Sequence, residues 1–249
     1  MQARKAQAFR ACPLEATPLL DKEETEEQNH DSMGTRHVIW DWNGTLLDDV
    51  WLCVDVLNGM LRKRGLPEVD EPCYKEVFTF PVIDVYRRMG FDVSNGAFER
   101  MSVEYIEAYQ ERRDQCALQP GALDTLKTLQ AAGVGQSILS AYRQDMLDSI
   151  IAHRGIGGYF QHLAGNANIY AASKVEYGRA LLKKIAVPEE EVILIGDTEH
   201  DWEVANELGI RCLLVSIGHI SRARLDRVGV PVLHTLPEVV RHIGLAPTA

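Results

Sequence analysis

The chain has 249 residues and a formal net charge of −10, with 46% hydrophobic and 25% charged residues. This composition is that of a globular protein long enough to bury a large core, which excludes a disordered, collagenous or disulfide-dependent chain. The acidic excess also weighs against nucleic acid as a partner, since non-specific binding there depends on a basic surface.

The apolar runs and the cysteines predict where the protein works. No apolar run approaches the roughly 18 residues of a membrane span. Five scattered cysteines without a CxxC pair are typical of reduced thiols. A cytoplasmic protein without a membrane partner is therefore predicted.

The first 35 residues show no sustained hydrophobic periodicity. Within them, residues 21–31 (DKEETEEQNHD) contain six acids and one lysine, so this short segment holds half of the net charge. Such a composition cannot bury enough apolar surface to fold, and residues 1–35 are predicted to be a disordered leader.

A short strand followed by a long helical stretch comes next. The apolar run 37–40 ends at Asp41 and predicts a buried parallel strand. Helical periodicity then begins at Asp48 and Asp49, and it returns in three further segments before the next strand pattern: 72–79, 81–89 and 97–114. A stretch with helical pattern alone interrupts a strand–helix alternation, so residues 49–116 are predicted to be an inserted helical cap.

Strands alternate with helices in the rest of the chain. Strands are predicted at 134–139 (ending at Ser140), 159–164, 191–195 and 211–215, and helices at 121–132, 143–153, 173–185 and up to residue 208, before a short terminal strand and helix. This alternation predicts a parallel sheet with helices on both faces. The fold class is therefore α/β, with a Rossmann-like core formed by residues 36–48 and 117–249.

Polar side chains stand where the predicted strands end, and in open parallel sheets reacting groups collect at that edge. Asp41, Ser140 and Asp197 follow three strands, and Lys174 lies just before a helix. One carboxylate can attack phosphorus, and a second can hold Mg²⁺. A hydroxyl and an ammonium can bind the remaining phosphoryl oxygens. The set therefore predicts phosphoryl transfer.

Four motifs in this order resemble those of the haloacid dehalogenase-like hydrolase superfamily, over about residues 37–243. The segment DWNGT at 41–45 resembles the family's DxDGT, and GDTEHD at 196–201 resembles its GDxxxD. Ser140, which closes QSILS, and Lys174 correspond to the second and third motifs. The insertion between the first two motifs is where the phosphoglycolate phosphatase-like branch carries its helical cap.

The resemblance implies a Mg²⁺-dependent phosphatase that hydrolyses a small phosphomonoester, phosphoglycolate-like, through an aspartyl-phosphate on Asp41. The implied ligands of Mg²⁺ are the side chains of Asp41 and Asp197 and the backbone carbonyl of Asn43, and Asp201 would support the metal either as a further ligand or from behind the ligands. The implied partner is a small phosphorylated metabolite, and the protein is predicted to be a monomer or homodimer.

The resemblance also divides the remaining residues by role. Thr45 would stabilise the loop after the nucleophile, and Ser140 and Lys174 would hold the phosphate. The predicted catalytic set is Asp41, Asn43, Thr45, Ser140 and Lys174, and the predicted substrate-binding set is Ser140, Ala141, Lys174 and Arg87 of the cap.

Asn43 departs from the family pattern, in which an Asp at this position acts as general acid and base. Loss of such assistance typically costs about 10²–10⁴ in rate. Three explanations stay open: a leaving group that needs little protonation, another proton carrier such as His200 or Glu199, or slow or absent turnover. In the last case the chain would be a non-catalytic or very slow phosphate-ligand binder.

A second alternative comes from the DW pair at the start of the first motif. It also resembles phosphonoacetaldehyde hydrolases, which cleave a carbon–phosphorus bond and need a cap lysine for a Schiff base. Lys63 and Lys75 are the available cap lysines.

Overall fold

The computed structural model describes residues 34–167 and 174–245, so nearly all of the predicted leader lies outside the described residues. The chain divides into two compact units. Val50–Arg113 forms the helical unit, and the described parts of Ser32–Asp49 and Asp114–Ala249 form the core unit.

The core unit is built on a six-stranded parallel sheet with the strand order β5-β4-β1-β6-β7-β8. The strand β1 lies at the centre, and all four of its residues are buried, as its unbroken apolar run predicts. The six strands are β1 His37–Trp40, β4 Gly135–Arg143, β5 His162–Asn166, β6 Val192–Gly196, β7 Arg211–Val215 and β8 Val232–Leu233.

Helices cover both faces of the sheet, because successive strand residues point to opposite sides. Ile39 packs in a cluster with residues of α7 and α8. Trp40 donates its indole N–H to Gln136, whose amide donates to the carbonyl of Leu126 in α5. The helices are α5 Ala122–Ala131, α6 Gln144–His153, α7 Lys174–Ile185, α8 Glu199–Leu208, α9 Arg222–Leu225 and α10 Leu236–His242.

The helical unit holds four helices: α1 Val50–Lys63, α2 Glu71–Val77, α3 Ile83–Arg88 and α4 Ala97–Gln110. Aromatic rings pack its interior, where the Tyr86 ring lies 5.2 Å from that of Phe91 and 5.6 Å from that of Phe98. Among all described residues, no helix has both the length and the apolar character that crossing a bilayer requires.

The predicted fold class is confirmed, and several element boundaries differ. The strand predicted to end at Ser140 continues to Arg143, because Asn166 of β5 pairs with it after a register shift. The long helix predicted at 97–114 ends at Gln110. Two-residue strands β2 Leu47–Asp48 and β3 Ala117–Leu118 pair antiparallel beside the insertion, and their length leaves no periodicity to detect in the sequence.

Candidate active site

Three polar side chains lie near the carboxyl ends of adjacent strands. β1 pairs in register with β4 on one side and β6 on the other, so Asp41 and Asp197, which follow β1 and β6, lie at one edge of the sheet with Ser140 of β4. The backbone N–H of Asp41 donates to the Ile195 carbonyl at 2.8 Å, which continues the ladder up to the first carboxylate. The sheet register therefore brings together residues that are far apart in sequence.

Lys174 joins two carboxylates in what we call the lysine cluster, defined as Lys174, Asp41 and Asp201. Its Nζ lies 2.5 Å from Asp41 Oδ1 and 2.6 Å from Asp201 Oδ1, and all three side chains are buried. Asp201 is also fixed by a capping box at the start of α8, where Oδ2 accepts from the backbone N–H and hydroxyl of Thr198.

Burial and charge shift the three groups differently. Burial raises the pKa of Asp41 to about 8, although Lys174 opposes the rise. Burial also disfavours the charged forms of Lys174 and Asp201, but the attraction between their opposite charges is larger. The pKa of Lys174 therefore lies above its usual value and that of Asp201 below.

Asp197 is fully buried against two loops. Its Oδ1 accepts from the hydroxyl of Thr45 at 2.8 Å and its Oδ2 from the backbone N–H of His219 at 2.6 Å. A Cβ on Gly44 or on Gly218 would collide with this carboxylate, so both loops need glycine for their close approach. Burial raises the pKa of Asp197 to about 6.

A second buried group of charges surrounds His219, and we call His219, Asp49 and Asp197 the histidine cluster. His219 Nε2 lies 3.4 Å from Asp49 Oδ1. Burial opposes the charged imidazole, but Asp49 and then Asp197 outweigh it and raise the pKa of His219 to about 9. Asp49 also accepts from the backbone N–H of Gly44 and from Nδ2 of Asn43, both at 2.8 Å.

Sequence reasoning missed Asp49 and His219 as site residues. The helical periodicity marks Asp49 only as a residue that opens the first helix, and it directly precedes α1. His219 follows β7, so the same strand-end argument that selected the other groups could have found it.

The charges of the site fit a divalent cation. Ligand oxygens of Asp41, Asp197 and Asp201 all lie within 4.8 Å of one another, and carboxylate oxygens are the ligands that Mg²⁺ prefers. With Asp49 there are four buried carboxyl groups beside two basic groups, Lys174 and His219. When all six groups are ionised, two negative charges remain, the amount that one divalent ion neutralises.

The remaining predicted site residues have these surroundings. Ser140 is buried, and its Oγ accepts from the backbone N–H of Tyr142 at 3.1 Å, which leaves its own proton for another acceptor. Ala141 is exposed, and its carbonyl accepts from Asn166. Arg87 belongs to the helical unit, where its guanidinium pairs with Asp84 at 2.6 Å.

The alternative proton carriers and the cap lysines all contact side chains of opposite or acceptor character. His200 lies 3.0 Å from Glu203, and Glu199 is held by Arg224 through two contacts, the shorter at 2.7 Å. Within the helical unit, Lys63 pairs with Glu104 and Lys75 with Glu71, each at 2.8 Å.

Comparison with known proteins agrees with this geometry. A family model described as haloacid dehalogenase-like hydrolase matches residues 38–215. A phosphoglycolate phosphatase of Pseudomonas fluorescens is 24% identical over 191 residues, which cover 74% of this chain and 70% of that protein. Phosphoglycolate phosphatase 1 of Pseudomonas aeruginosa is 22% identical over the same shares.

Solved structures share the fold. A haloacid dehalogenase-like family protein from Streptococcus pneumoniae superposes with a TM-score of 0.71 at 20% identity and covers 83% of this chain and 97% of its own. The protein tyrosine kinase A of Mycobacterium tuberculosis gives 0.72 at 25% identity, covering 86% and 100%.

The family match spans most of the chain. It includes all four motif residues, Asp41, Ser140, Lys174 and Asp197. The predicted resemblance to phosphoglycolate phosphatases within this family is confirmed as well. The chain belongs to the haloacid dehalogenase-like hydrolases.

Proposed function

We propose that the protein hydrolyses a small phosphomonoester of the phosphoglycolate type, with Asp41 as nucleophile. The observation that supports this best is the lysine cluster. A buried carboxylate stands at the end of the central strand, with an ammonium 2.5 Å away and two further carboxylates near it. A phosphoryl group beside Asp41 would meet both a nucleophile and the charges that stabilise its transfer.

The reaction would proceed in two displacements at phosphorus. A carboxylate oxygen of Asp41 bonds to phosphorus while the bond to the ester oxygen breaks. Water then attacks phosphorus, the bond to Asp41 breaks, and inorganic phosphate leaves. Over both displacements, one proton of this water stays on the phosphate and the other replaces the proton that the ester oxygen took up. An ammonium has three N–H donors. Lys174 donates two of them to Asp41 and Asp201, so the third is available for a phosphoryl oxygen.

Asp41, Asp197, Asp201 and the Asn43 carbonyl would hold Mg²⁺ in this proposal. Bound there, the ion supplies positive charge that keeps Asp41 ionised and neutralises charge on the phosphoryl oxygens. Ser140 would donate a hydrogen bond from its hydroxyl group to the phosphate. Ala141 and Arg87 stay predicted substrate contacts, and the helical unit stays a predicted cap that selects the substrate.

The leaving oxygen must take its proton from a group other than Asn43, since an amide is not an acid. This favours substrates whose leaving group needs little protonation, such as acyl or enol phosphates. The panel that tests the proposal should therefore include these beside phosphoglycolate. A cytoplasmic location and a monomer or homodimer stay predictions from the sequence.

The test is phosphate release with Mg²⁺ from wild type, Asp41→Asn and the control Asp124→Asn, which changes an exposed carboxylate on α5. We expect Asp41→Asn to lower kcat by about 10⁴-fold or more, since the nucleophile is lost, and the control to match wild type. EDTA should abolish release in both active proteins. An Asp41→Asn protein that retains a tenth of the wild-type rate would contradict the nucleophile role.

Asn43 supports a second candidate, a phosphate-ligand binder with slow or absent turnover. In that case wild type releases no phosphate from any substrate of the panel, while inorganic phosphate with Mg²⁺ still raises its melting temperature. Carbon–phosphorus cleavage is tested by borohydride trapping with phosphonoacetaldehyde, where a cap lysine must become labelled.

A further inference from the structure

We propose that Asn43 and Asp49 form a matched donor–acceptor pair, and that Asp49 is a positioning residue for the turn after the nucleophile. This rests on the proposed function in its Mg²⁺ and kinetic parts, and the stability measurements are independent of it. The pair itself is defined by two contacts of one carboxylate, a half-buried one to Asn43 Nδ2 and a buried one to the Gly44 N–H.

Asp49 uses its two oxygens on different partners. Oδ1 accepts from the backbone N–H of Gly44 and faces His219 Nε2, while Oδ2 accepts from Asn43 Nδ2. The carboxylate is fully buried. Because an ionised carboxylate only accepts hydrogen bonds, the group that faces Oδ2 must be a donor, and this requires the amide nitrogen of Asn43 to point at it.

The turn that Asp49 holds is packed tightly. Gly44 has a positive φ of 76°, its N–H also lies 3.0 Å from the Leu47 carbonyl, and its own carbonyl accepts from Gln119 Nε2 at 3.1 Å. A Cβ at this glycine would collide with Asp197 and His219. The backbone of the turn that carries Asn43 is therefore held in place beside Asp49.

An Asp at position 43 would face Oδ2 of Asp49 as acceptor against acceptor. Two like charges at 2.8 Å in a buried site repel strongly. Asp49 thus accounts for the amide in the first motif: with this carboxylate behind the turn, position 43 needs a donor. The exchange Asn43→Asp with Asp49→Asn would reverse the pair and keep both its hydrogen bond and its net charge.

The test is a cycle of four proteins: wild type, Asn43→Asp, Asp49→Asn and the double variant. We expect Asn43→Asp alone to lower the folding equilibrium constant in urea by about tenfold or more. Asp49→Asn alone should also destabilise the protein, because His219 loses the carboxylate that faces its Nε2, although Asn43 can flip its amide and offer its oxygen. The double variant keeps that loss but regains the hydrogen bond between positions 43 and 49, so we expect its folding equilibrium constant to exceed the value that the two single changes predict together by about tenfold.

A fifth protein separates geometry from net charge. Asn43→Asp with Asp124→Asn has the charge of the double variant, but its compensating change is at an exposed carboxylate. We expect no rescue in this protein. Equal rescue by both compensating changes, or an Asn43→Asp protein as stable as wild type, would overturn the matched pair.

The positioning role has its own readout in Mg²⁺ affinity, measured by calorimetry with the metal alone. Partners that orient metal ligands typically contribute 10–100-fold to affinity. We expect Asp49→Ala to weaken Mg²⁺ binding by about tenfold, because the turn carrying the Asn43 carbonyl loses its anchor. If Asp49→Ala does not fold, Asn43→Asp and its rescue by Asp49→Asn serve in the same measurement. Unchanged affinity in the folded variants would overturn the positioning role.

Kinetics then connect the pair to the proposed function. If wild type releases phosphate, Asn43→Asp should lower kcat although it supplies an acid, and the double variant should recover it. A higher kcat in Asn43→Asp alone would contradict the pair. If wild type is inactive on the whole panel, the proposed function fails, while the stability and Mg²⁺ measurements still decide the pair.

Discussion

The lysine cluster and the histidine cluster each place two buried carboxylates around one cation, but they hold them differently. In the lysine cluster the contacts to Lys174 join side chains from separate elements. In the histidine cluster, Asp49 and Asp197 accept backbone N–H groups of loop residues, Gly44 and His219, whereas the backbone N–H that Asp201 accepts belongs to a helix cap. The sequence motifs therefore mark the first cluster, whereas the second forms only where two loops approach each other.

The two clusters also differ from a buried histidine without carboxylates. His219 has a raised pKa of about 9 because Asp49 and Asp197 outweigh burial. His37 is equally enclosed, and burial lowers its pKa to about 4, helped by His162. The same side chain is thus charged at one site and neutral at the other at pH 7, and the neighbouring charges decide which.

The largest expected effect is loss of the cation in the lysine cluster. Lys174→Met leaves Asp41 and Asp201 buried without their counter-ion, which should lower the free energy of unfolding by about 3–5 kcal/mol and abolish turnover. The control is Lys183→Met, an exposed lysine on the same helix. Urea unfolding without metal measures both, and equal stabilities would show that Lys174 does not hold the cluster together.

The histidine cluster should lose stability as the pH rises. The folded pKa of His219, about 9, exceeds the ordinary value of 6.5, so its contribution is present below pH 6.5 and is lost up to about pH 9. In EDTA, we expect the free energy of unfolding of wild type to decrease by about 3 kcal/mol across that window. This decrease should be absent in His219→Gln. If wild type and variant show parallel pH profiles there, the imidazole is not charged in the folded protein.

His37 should make stability depend on pH in the opposite direction, so that the protein loses stability as the pH falls. Its folded pKa, about 4, lies below 6.5, so its contribution is present above pH 6.5 and is lost as the pH falls through about 4. Its Nε2 contacts Ser137 Oγ at 3.0 Å, a contact that glutamine can keep. Between pH 6.5 and 4.5, we expect the free energy of unfolding of His37→Gln to fall by about 2 kcal/mol less than that of wild type. Identical acid limbs would contradict this.

The smallest expected effect comes from alanine at Gly44, whose close packing against the histidine cluster can be separated from backbone strain by comparison with Gly65. Gly44 and Gly65 both have positive φ, but a Cβ on Gly44 would meet Asp197 and His219, while a Cβ on Gly65 has nothing within 4 Å. Alanine at either position costs the same backbone strain. We expect Gly44→Ala to destabilise by about 1–2 kcal/mol more than Gly65→Ala. Equal melting temperatures would show that the turn can move away.

Much of the fold could be predicted because its signals are local. The buried run at β1, the alternation of strands and helices, and the motifs at 41–45 and 196–201 are all continuous in the sequence. Strand ends were harder to predict. β4 passes beyond Ser140 because β5 pairs with it, and pairing with a distant strand leaves no local pattern.

The sequence by itself determined that a parallel α/β core would carry Asp41 and Asp197 just after buried strands, with Ser140 and Lys174 in the two other motifs, since hydrophobic periodicity and residue type encode these features directly. Only the tertiary structure decided that Asp49 faces Asn43 and that His219 is charged between two carboxylates. Those properties arise where loops approach each other in a buried space. There, distance and desolvation decide the donor, the acceptor and the charge of each group.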